Sequence, residues 1–431
     1  MVMVTFGYAL IFQQLIVEFR GLSGGPDGLP GIVYPKPFSD AVTYYPLVLV
    51  IVVLAYVVAH NLIRSPFGRA SKATDLQAVA AQSLGIDVYL VRLRAFVVSS
   101  VFAGVAGGVY VPLLGFASPD TFTADLAILL LLMALVGGAG TLAGPIVGTL
   151  LLLRLPITIE RLTQRSGDWS LLVYGVILLF TVHFIPRGLM TAWYGARGRF
   201  RKAAPPTMGE RRSDLTTALP VAEPSTARAI ALKAAGVGKN LGGVQALSSI
   251  DLEVEEATVH ALIGPNGSGK TTFLNTVSGF LTTDSGTIEM FGREIQRQRP
   301  VRRAGGGLGR TFQTPLVFER MTCLENVMAA LDASRRHSLV AYLFRLPGAR
   351  REERVRYQDA ITLLTAVGLA DRAEHEAADL PPGERRLLEI ARMAALKPRL
   401  VLMDEPAAGL SGREITCLLY TSPSPRDRQK S

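Results

Sequence analysis

Five apolar segments fill the first half of the chain, and they limit its possible folds more than any other feature. Tyr45–Ile63, Ala95–Leu114 and Leu126–Leu153 are long enough to cross a bilayer, which takes about 20 apolar residues. Val4–Val17 and Ser170–Ile185 are shorter. A signal peptide has one short apolar stretch near its N-terminus. The pattern therefore predicts a polytopic α-helical membrane domain.

Lysine and arginine residues set the expected orientation of these segments, because cytoplasmic loops of membrane proteins carry an excess of both. The loop 64–94 holds five of them against two aspartates, and more follow Pro186. We therefore expect both stretches in the cytoplasm, with the loop 20–43 and the loop around Asp120 facing outward. An even number of crossings must then separate residues 94 and 187.

The segment Leu126–Leu153 has too few residues for two full spans. Gly137, Gly138 and Gly144-Pro145 interrupt it, and we interpret it as a re-entrant hairpin that makes no net crossing. Irregular backbone is stable at membrane depth only when it is buried in protein or lines a cavity. One long kinked helix is the alternative.

Composition excludes a soluble nucleic-acid binder. The 431 residues carry a net charge of +10 with a pI near 9.7, yet 49% of them are hydrophobic and the mean hydropathy is +0.31. The two cysteines, Cys323 and Cys417, are too few for a disulfide framework or a cysteine-based metal site. Residues 195–227 are rich in Arg, Pro, Ser and Thr, which predicts a flexible basic linker between two domains.

A glycine-rich loop marks the second half as a nucleotide-binding domain. GPNGSGKTT follows a predicted buried strand over residues 258–263 and leads into a run typical of a helix. In this setting the backbone N–H groups and the helix N-terminus bind phosphates. Lys270 is expected on the β- and γ-phosphates of ATP and the Thr271 hydroxyl on Mg²⁺. The predicted nucleotide ligands are Gly264, Pro265, Asn266, Gly267, Ser268, Gly269, Lys270, Thr271 and Thr272.

An acidic pair supplies the second half of the predicted chemistry. Asp404 and Glu405 follow the apolar run Leu400–Met403, and ligand chemistry in an α/β sheet lies at the carboxyl ends of its strands. Asp404 is expected to hold Mg²⁺ through its water shell, and Glu405 to polarise the attacking water. The two motifs together predict an ATP hydrolase.

Three motifs together resemble those of the ATP-binding subunit of an ABC transporter. They are GPNGSGKTT, GRTFQ at Gly309–Gln313 and DEPAAGL at Asp404–Leu410, and the resemblance is strongest to branched-chain amino acid uptake systems. In the first half, SPFGRASKATDLQAVAAQSLGID, GGAGTLAGPIVG and IPRGL resemble the matching permease. The resemblance implies an α-helical polytopic membrane domain followed by an α/β P-loop ABC ATPase domain.

The resemblance also implies a role for Gln313, partners and a location. Gln313 would sense Mg²⁺ and the lytic water and couple them to the membrane domain. The partners would be a second permease, a second ATPase and a periplasmic substrate-binding protein. The chain would lie in the bacterial inner membrane as a multi-pass protein with its ATPase in the cytoplasm.

The cytoplasmic loop over residues 65–88 has alanines interspersed with polar residues, which is typical of a short amphipathic helix. In the family that the chain resembles, this loop docks into a groove on the ATPase. An ordinary surface helix is the alternative.

Two segments depart from the family pattern. Leu241 stands where an aromatic side chain would stack on adenine. The signature Leu-Ser-Xaa-Gly-Gln, which contacts the γ-phosphate held by the opposite ATPase, reads Leu380-Pro381-Pro382-Gly383-Glu384 here. The serine hydroxyl and two N–H donors are lost, while the Gly383 N–H remains. We predict slow hydrolysis at the composite site that this segment completes.

The ends of the chain predict a fragment of a longer protein. The last residues, 417–431, show no strand or helix pattern and resemble sequencing-adapter read-through, so we interpret them as a non-native tail. The family places a histidine after the acidic pair, and none of the five histidines follows Glu405. We expect a partial permease domain at 1–194, the linker at 195–227 and a partial ATPase domain at 228–416. A natural short variant is the alternative.

The predicted function is ATP-driven import of branched-chain or related small amino acids. Import of urea or short amides by a similar ABC importer is one alternative. A nucleotide-binding regulatory subunit that hydrolyses ATP poorly is another, supported by Pro381-Pro382. An ABC exporter half-transporter is a third, although a loop of about 30 residues is short for its helical extensions.

Overall fold

The computed structural model describes residues 2–25, 28–30, 40–118, 124–138, 140–163, 229–333 and 339–405, with a few shorter stretches between them. The chain divides into two compact units, one of residues 1–60 with 98–205 and one of residues 61–97 with 206–431. Nearly all of the predicted span Ser170–Ile185 lies outside the described residues, as do the linker 195–227 and the tail 417–431.

Most helices along the first part of the chain are apolar. The helices along the first part of the chain are α1 (Val2–Glu18), α2 (Arg20–Ser23), α3 (Ala41–Ile63), α4 (Pro66–Leu76), α5 (Ala78–Ser83), α6 (Val88–Leu114), α7 (Ala124–Gly138) and α8 (Gly144–Thr163). Two short strands, β1 (Leu29–Pro30) and β2 (Phe116–Ala117), pair antiparallel. By length and composition α3 and α6 are able to cross a membrane, and most of their large apolar side chains are exposed, as suits a helix that faces lipid.

The glycine-rich segment forms two helices, so the alternative of one long kinked helix is wrong. α7 ends at Gly138 and α8 begins at Gly144. The helices fold back on one another so closely that a Cβ atom at Gly148 would overlap the carbonyl of Met133. Small residues permit this approach, and the predicted break in the segment is confirmed. Its re-entrant placement stays a prediction.

An antiparallel sheet forms one face of the second unit. Its strands are β3 (Ile230–Leu241), β4 (Val244–Glu255), β5 (Ser285–Met290) and β6 (Arg293–Glu294), in the order β4-β3-β5-β6. Leu232 lies opposite Val254 on one side and Met290 on the other. Alternate side chains of β3 therefore enter the core beneath the sheet.

A parallel pair of strands lies across that core. β7 (Leu308–Arg310) and β8 (Leu400–Leu402) run side by side. The helix α9 (Lys270–Ser278) packs Phe273 and Val277 into the same cluster as the strand residues. The glycine-rich loop thus enters a helix that is fixed against both groups of strands.

The predicted strand over residues 258–263 is wrong. In the part of the chain that the structure describes, these residues pair with no other strand, and Ile263 is 93% exposed. A strand is stabilised by its neighbours across the ladder, and apolar composition alone provides no neighbour. The glycine-rich loop is therefore preceded by an extended segment.

Helices form the rest of the second unit. They are α10 (Pro300–Gly305), α11 (Cys323–Ala333), α12 (Leu339–Leu343), α13 (Pro347–Ala366) and α14 (Pro382–Ala395), with 3₁₀ turns at Ala370–Arg372 and Ala377–Asp379. α11, α13 and α14 share one apolar core. The core also includes α4 and α5, the two helices of the loop that joins α3 to α6.

The loop helices are buried, so the alternative of an ordinary surface helix is wrong. Ala73, Ala80 and Ala81 are almost inaccessible and belong to the same cluster as Phe318 and Leu324. Alanine has the smallest apolar side chain, so it lets the helix backbones approach closely at this contact. The predicted amphipathic helix is confirmed as two short helices packed into the helical core of the second unit.

A buried ion cluster fixes the loop to the helices. Arg69 of α4 donates from Nε to Asp332 Oδ2 at 2.8 Å and from Nη1 to Glu353 at 3.3 Å. Arg356 of α13 approaches the other oxygen of Asp332 at 3.0 Å. Burial lowers the pKa of Arg69, but Asp332 and Glu353 more than offset this effect, so the pKa of Arg69 is raised. The guanidinium is therefore charged at every physiological pH.

Replacing Asp332 by asparagine should destabilise the second unit by about 3–5 kcal/mol, because two buried arginines would then lose the carboxylate that they share. The matched control is Lys72→Met, which breaks a partly exposed pair with Glu325 at 3.5 Å and should cost less than about 1 kcal/mol. Thermal unfolding of the purified chain measures both changes. Equal unfolding midpoints for the Asp332→Asn variant and the parent would contradict this role of the cluster.

Candidate functional site

The glycine-rich loop turns sharply at two glycines. Gly267 and Gly269 have φ of 86° and 87°, in the left-handed region that glycine adopts without strain. A Cβ atom at Gly269 would lie 2.6 Å from the carbonyl oxygen of Ala246. Only glycine fits this position, where the loop passes β4 and becomes the N-terminus of α9.

The lysine and threonine predicted to bind ATP begin α9. Lys270 Nζ donates to the carbonyl oxygens of Gly264 and Pro265, each at 2.8 Å. These bonds hold the ammonium over the loop, where phosphate oxygens would bind. Thr271 is the next residue and is exposed. The loop from Gly264 to Thr272 therefore forms one cradle of backbone donors, a positive charge and a hydroxyl.

Parallel pairing brings the predicted catalytic residues together. Thr311 N donates to Leu402 O at 3.0 Å and extends the β7–β8 pairing. Gln313 follows β7 and Glu405 follows β8, and Gln313 Nε2 lies 3.4 Å from Glu405 Oε2. The carboxyl ends of adjacent parallel strands meet at one edge, so this contact results directly from the topology.

The neighbouring carboxylate suits a magnesium ion. Asp404 is buried, and its Oδ2 accepts no hydrogen bond from any described residue. Mg²⁺ is usually bound by one or two carboxylates together with water and substrate phosphates. Asp404 and Thr271 fit that chemistry, with Gln313 as the third predicted ligand.

A buried arginine, which the sequence patterns did not single out, fixes the backbone of the acidic pair. Arg386 Nη2 donates to the carbonyl oxygens of Asp404 and Glu405 at 3.0 and 2.9 Å. Its Nη1 donates to the carbonyl of Phe312 and to Glu389 Oε2. One guanidinium therefore holds both loops that carry the predicted catalytic side chains.

Glu389 completes this network. Its Oε1 accepts a hydrogen bond from Phe312 N at 3.2 Å, next to Gln313. Burial raises the pKa of Glu389, although Arg386 opposes that shift. Arg386 and Glu389 stand three residues apart among apolar residues of α14. That spacing, charged residues inside an apolar run, is the signal that could have identified them.

The remaining predicted contacts lie at the edges of the site. Leu241 ends β3 at the exposed hairpin whose partner strand, β4, touches the glycine-rich loop. Gly383 is in the first turn of α14, and Arg386 in the next turn of the same helix donates to the acidic pair. Glu384 is directed toward Arg372, with 3.9 Å between the charged atoms. The positive partner reduces the negative charge that Glu384 would present to a phosphate.

Two family models match separate parts of the chain. Residues 1–182 match the permease component of the branched-chain amino acid transport system, and residues 247–408 match the ABC transporter model. Each match covers one of the two parts that the sequence patterns distinguish.

Curated relatives cover the second part. One relative is the high-affinity branched-chain amino acid transport ATP-binding protein BraF of Pseudomonas aeruginosa, which is 39% identical to this chain over 183 residues. That match covers 42% of this chain and 72% of BraF. LivG of Escherichia coli K12 is 35% identical to this chain over 179 residues, and that match covers 42% of this chain and 70% of LivG. A solved nucleotide-free ATP-binding cassette from an ABC transporter is 30% identical, covering 44% of this chain and 75% of that one, with a TM-score of 0.38.

Replacing Glu389 by glutamine should lower the turnover of ATP by about 10- to 100-fold while the KM for ATP changes little. The amide keeps an acceptor for Phe312 N but loses the charged partner of Arg386, and small displacements of catalytic groups have effects of that size. Steady-state ATPase assays separate the two parameters. Glu374→Gln, an exposed change in the same unit, is the matched control. A proportional rise in KM would instead indicate that Glu389 acts on nucleotide binding.

Proposed function

The chain belongs to the ABC transporter family of branched-chain amino acid transport systems, and from this premise we propose that it is a fused permease and ATPase. It uses ATP hydrolysis to import branched-chain or related small amino acids. Its location is the bacterial inner membrane, with the ATPase in the cytoplasm. A second permease, a second ATPase and a periplasmic substrate-binding protein complete the transporter.

The observation that carries this proposal is the burial of α4 and α5 in the helical core of the ATPase. These helices join α3 to α6, the two helices able to cross a membrane. A rigid movement of α11, α13 and α14 would therefore displace the ends of both apolar helices. Because packed interfaces have few alternative arrangements, this contact supports mechanical coupling of ATP turnover to the permease.

The residues of the site divide the chemistry among them. The loop from Gly264 to Thr272 binds the phosphates, with Lys270 balancing their charge. Asp404, Thr271 and Gln313 would hold Mg²⁺, which when bound neutralises charge that develops on the phosphates. Glu405 accepts a proton from the attacking water, and Gln313 orients that water.

The short loop between α3 and α6 supports an importer rather than an exporter. α4 has 11 residues and α5 has six, so the longer helix measures only about 17 Å. In ABC exporters the membrane helices extend far into the cytoplasm. The two helices here are sufficient for a docking element.

Replacing Glu405 by glutamine should reduce ATP hydrolysis and substrate uptake by at least about 100-fold, because the general base is lost, while ATP still binds. Lys270→Ala should instead lower the affinity for ATP. Proteoliposomes with the complete transporter and a fluorescent ATP analogue measure uptake, hydrolysis and binding. The exposed Glu374→Gln variant again serves as the control. Undiminished uptake by the Glu405→Gln variant would rule out the proposed role.

Restoring the signature to Ser-Gly-Gly-Gln, with Pro381→Ser, Pro382→Gly and Glu384→Gln, should raise ATPase activity. The change returns a hydroxyl and two backbone N–H donors to the N-terminus of α14, where phosphate binding is favoured. The assay uses the complete transporter, because the composite site needs both ATPases. Glu384→Gln alone is the control and should have a small effect, since Arg372 already pairs with Glu384. Unchanged activity of the restored variant would refute slow hydrolysis at this site.

A further inference from the structure

An exposed turn between α12 and α13 presents two large apolar side chains to the surroundings. Phe344 is 63% exposed and Leu346 is 48% exposed. Between them, Arg345 has a φ of 48°, so the backbone reverses direction there. Two large apolar side chains on one turn, separated by a single residue, form a local apolar patch that a ligand or lipid could cover.

The turn is held rigidly by its own backbone. Arg345 N donates to Tyr342 O at 3.2 Å, and Leu346 N donates to Ala341 O at 2.9 Å. The hydroxyl of Tyr342 donates to Glu352 at 3.2 Å and accepts a hydrogen bond from Arg356. Because Arg356 also pairs with Asp332, the turn is connected to the ion cluster that binds α4.

The turn lies at the end of an apolar helix. Asn61 Nδ2, in the last turn of α3, donates to Leu343 O at 3.1 Å. α3 is long and apolar enough to cross a membrane, and the exposed Arg64 follows its last residue. With α3 as a membrane span, Asn61 would lie near its cytoplasmic end, and the turn that Asn61 contacts would then lie near the lipid headgroups.

The charge around the turn is positive on its exposed side. Arg345, Arg350, Arg351 and Arg354 are all exposed. The two nearby acids are turned to other partners, since Glu353 contacts Arg69 and Glu352 contacts Arg356 and Tyr342. Apolar side chains flanked by arginines are typical of segments that bind anionic bilayer surfaces.

We propose that residues 343–351, the basic turn, bind anionic lipid headgroups at the cytoplasmic face of the bilayer. Phe344 and Leu346 enter the boundary between headgroups and acyl chains, and Arg345, Arg350 and Arg351 contact lipid phosphates. The contact anchors the ATPase to the bilayer beside α3. This inference rests on α3 as a membrane span and is independent of the transported substrate and of ATP turnover.

Tryptophan fluorescence in lipid nanodiscs tests the contact. The full chain would carry Phe344→Trp, with Trp169 and Trp193, its two native tryptophans, replaced by phenylalanine. Val244→Trp in the same background is the matched control, because Val244 is similarly exposed, at 69%, on the β3–β4 hairpin. No nucleotide or substrate is added, so a chain inactive in transport still gives a result.

We expect brominated phosphatidylglycerol to quench the Phe344→Trp variant and shift its emission to shorter wavelength, with no such loss for the Val244→Trp variant. Arg350→Gln with Arg351→Gln should reduce the quenching, and zwitterionic phosphatidylcholine should quench less than phosphatidylglycerol. Equal quenching of the two tryptophan variants would overturn the proposal. So would quenching that disappears when the partner permease is added, because the turn would then face protein.

Discussion

One buried carboxylate, Asp332, links parts of the chain that are far apart in sequence. It pairs with Arg69 of the loop between the apolar helices and with Arg356 of α13, and Arg356 in turn supports Tyr342. Desolvation makes each of these charges unfavourable alone, so they are stable only as a set. The positions of α4, α13 and the basic turn consequently depend on one another. A force applied to any of them reaches the others through contacts that have little freedom to adjust.

The positions of Gln313, Asp404 and Glu405 depend on hydrogen bonds to the backbone as much as on side-chain contacts. Arg386 donates to three carbonyl oxygens, of Asp404, Glu405 and Phe312. It lies in the first turns of α14, the helix whose N-terminus faces the opposite ATPase in the proposed transporter. The geometry of the acidic pair is thus set by the same helix that would contact a neighbouring nucleotide. This arrangement gives a physical reason for the two sites of such a dimer to respond to one another.

Sequence patterns predicted the local features of this molecule well. The glycine-rich loop needs positive φ angles, which its glycines indicate directly. The glycines between α7 and α8 likewise predict the break in that segment. A shared role for Gln313 and Glu405 was implied only by the family resemblance, and the parallel pairing of β7 with β8 that brings them together was not predicted. The strand prediction over residues 258–263 was wrong because a strand needs a neighbouring strand to pair with, and the apolar sequence identified no such neighbour. Arg386 and Glu389 escaped notice because their partners, such as Phe312, are more than 70 residues away in sequence.

The packing of α4 and α5 on helices of the same polypeptide has a consequence for assembly. In a transporter built from separate chains, an ATPase must meet its permease by diffusion, and it dissociates when dilute. Here the two surfaces share one chain, so their encounter is intramolecular and does not depend on protein concentration. In the proposed fusion, one ATPase would be synthesised for each permease, and translation itself would fix that ratio. Competing ATPases of other transporters would have to displace a surface that is always present.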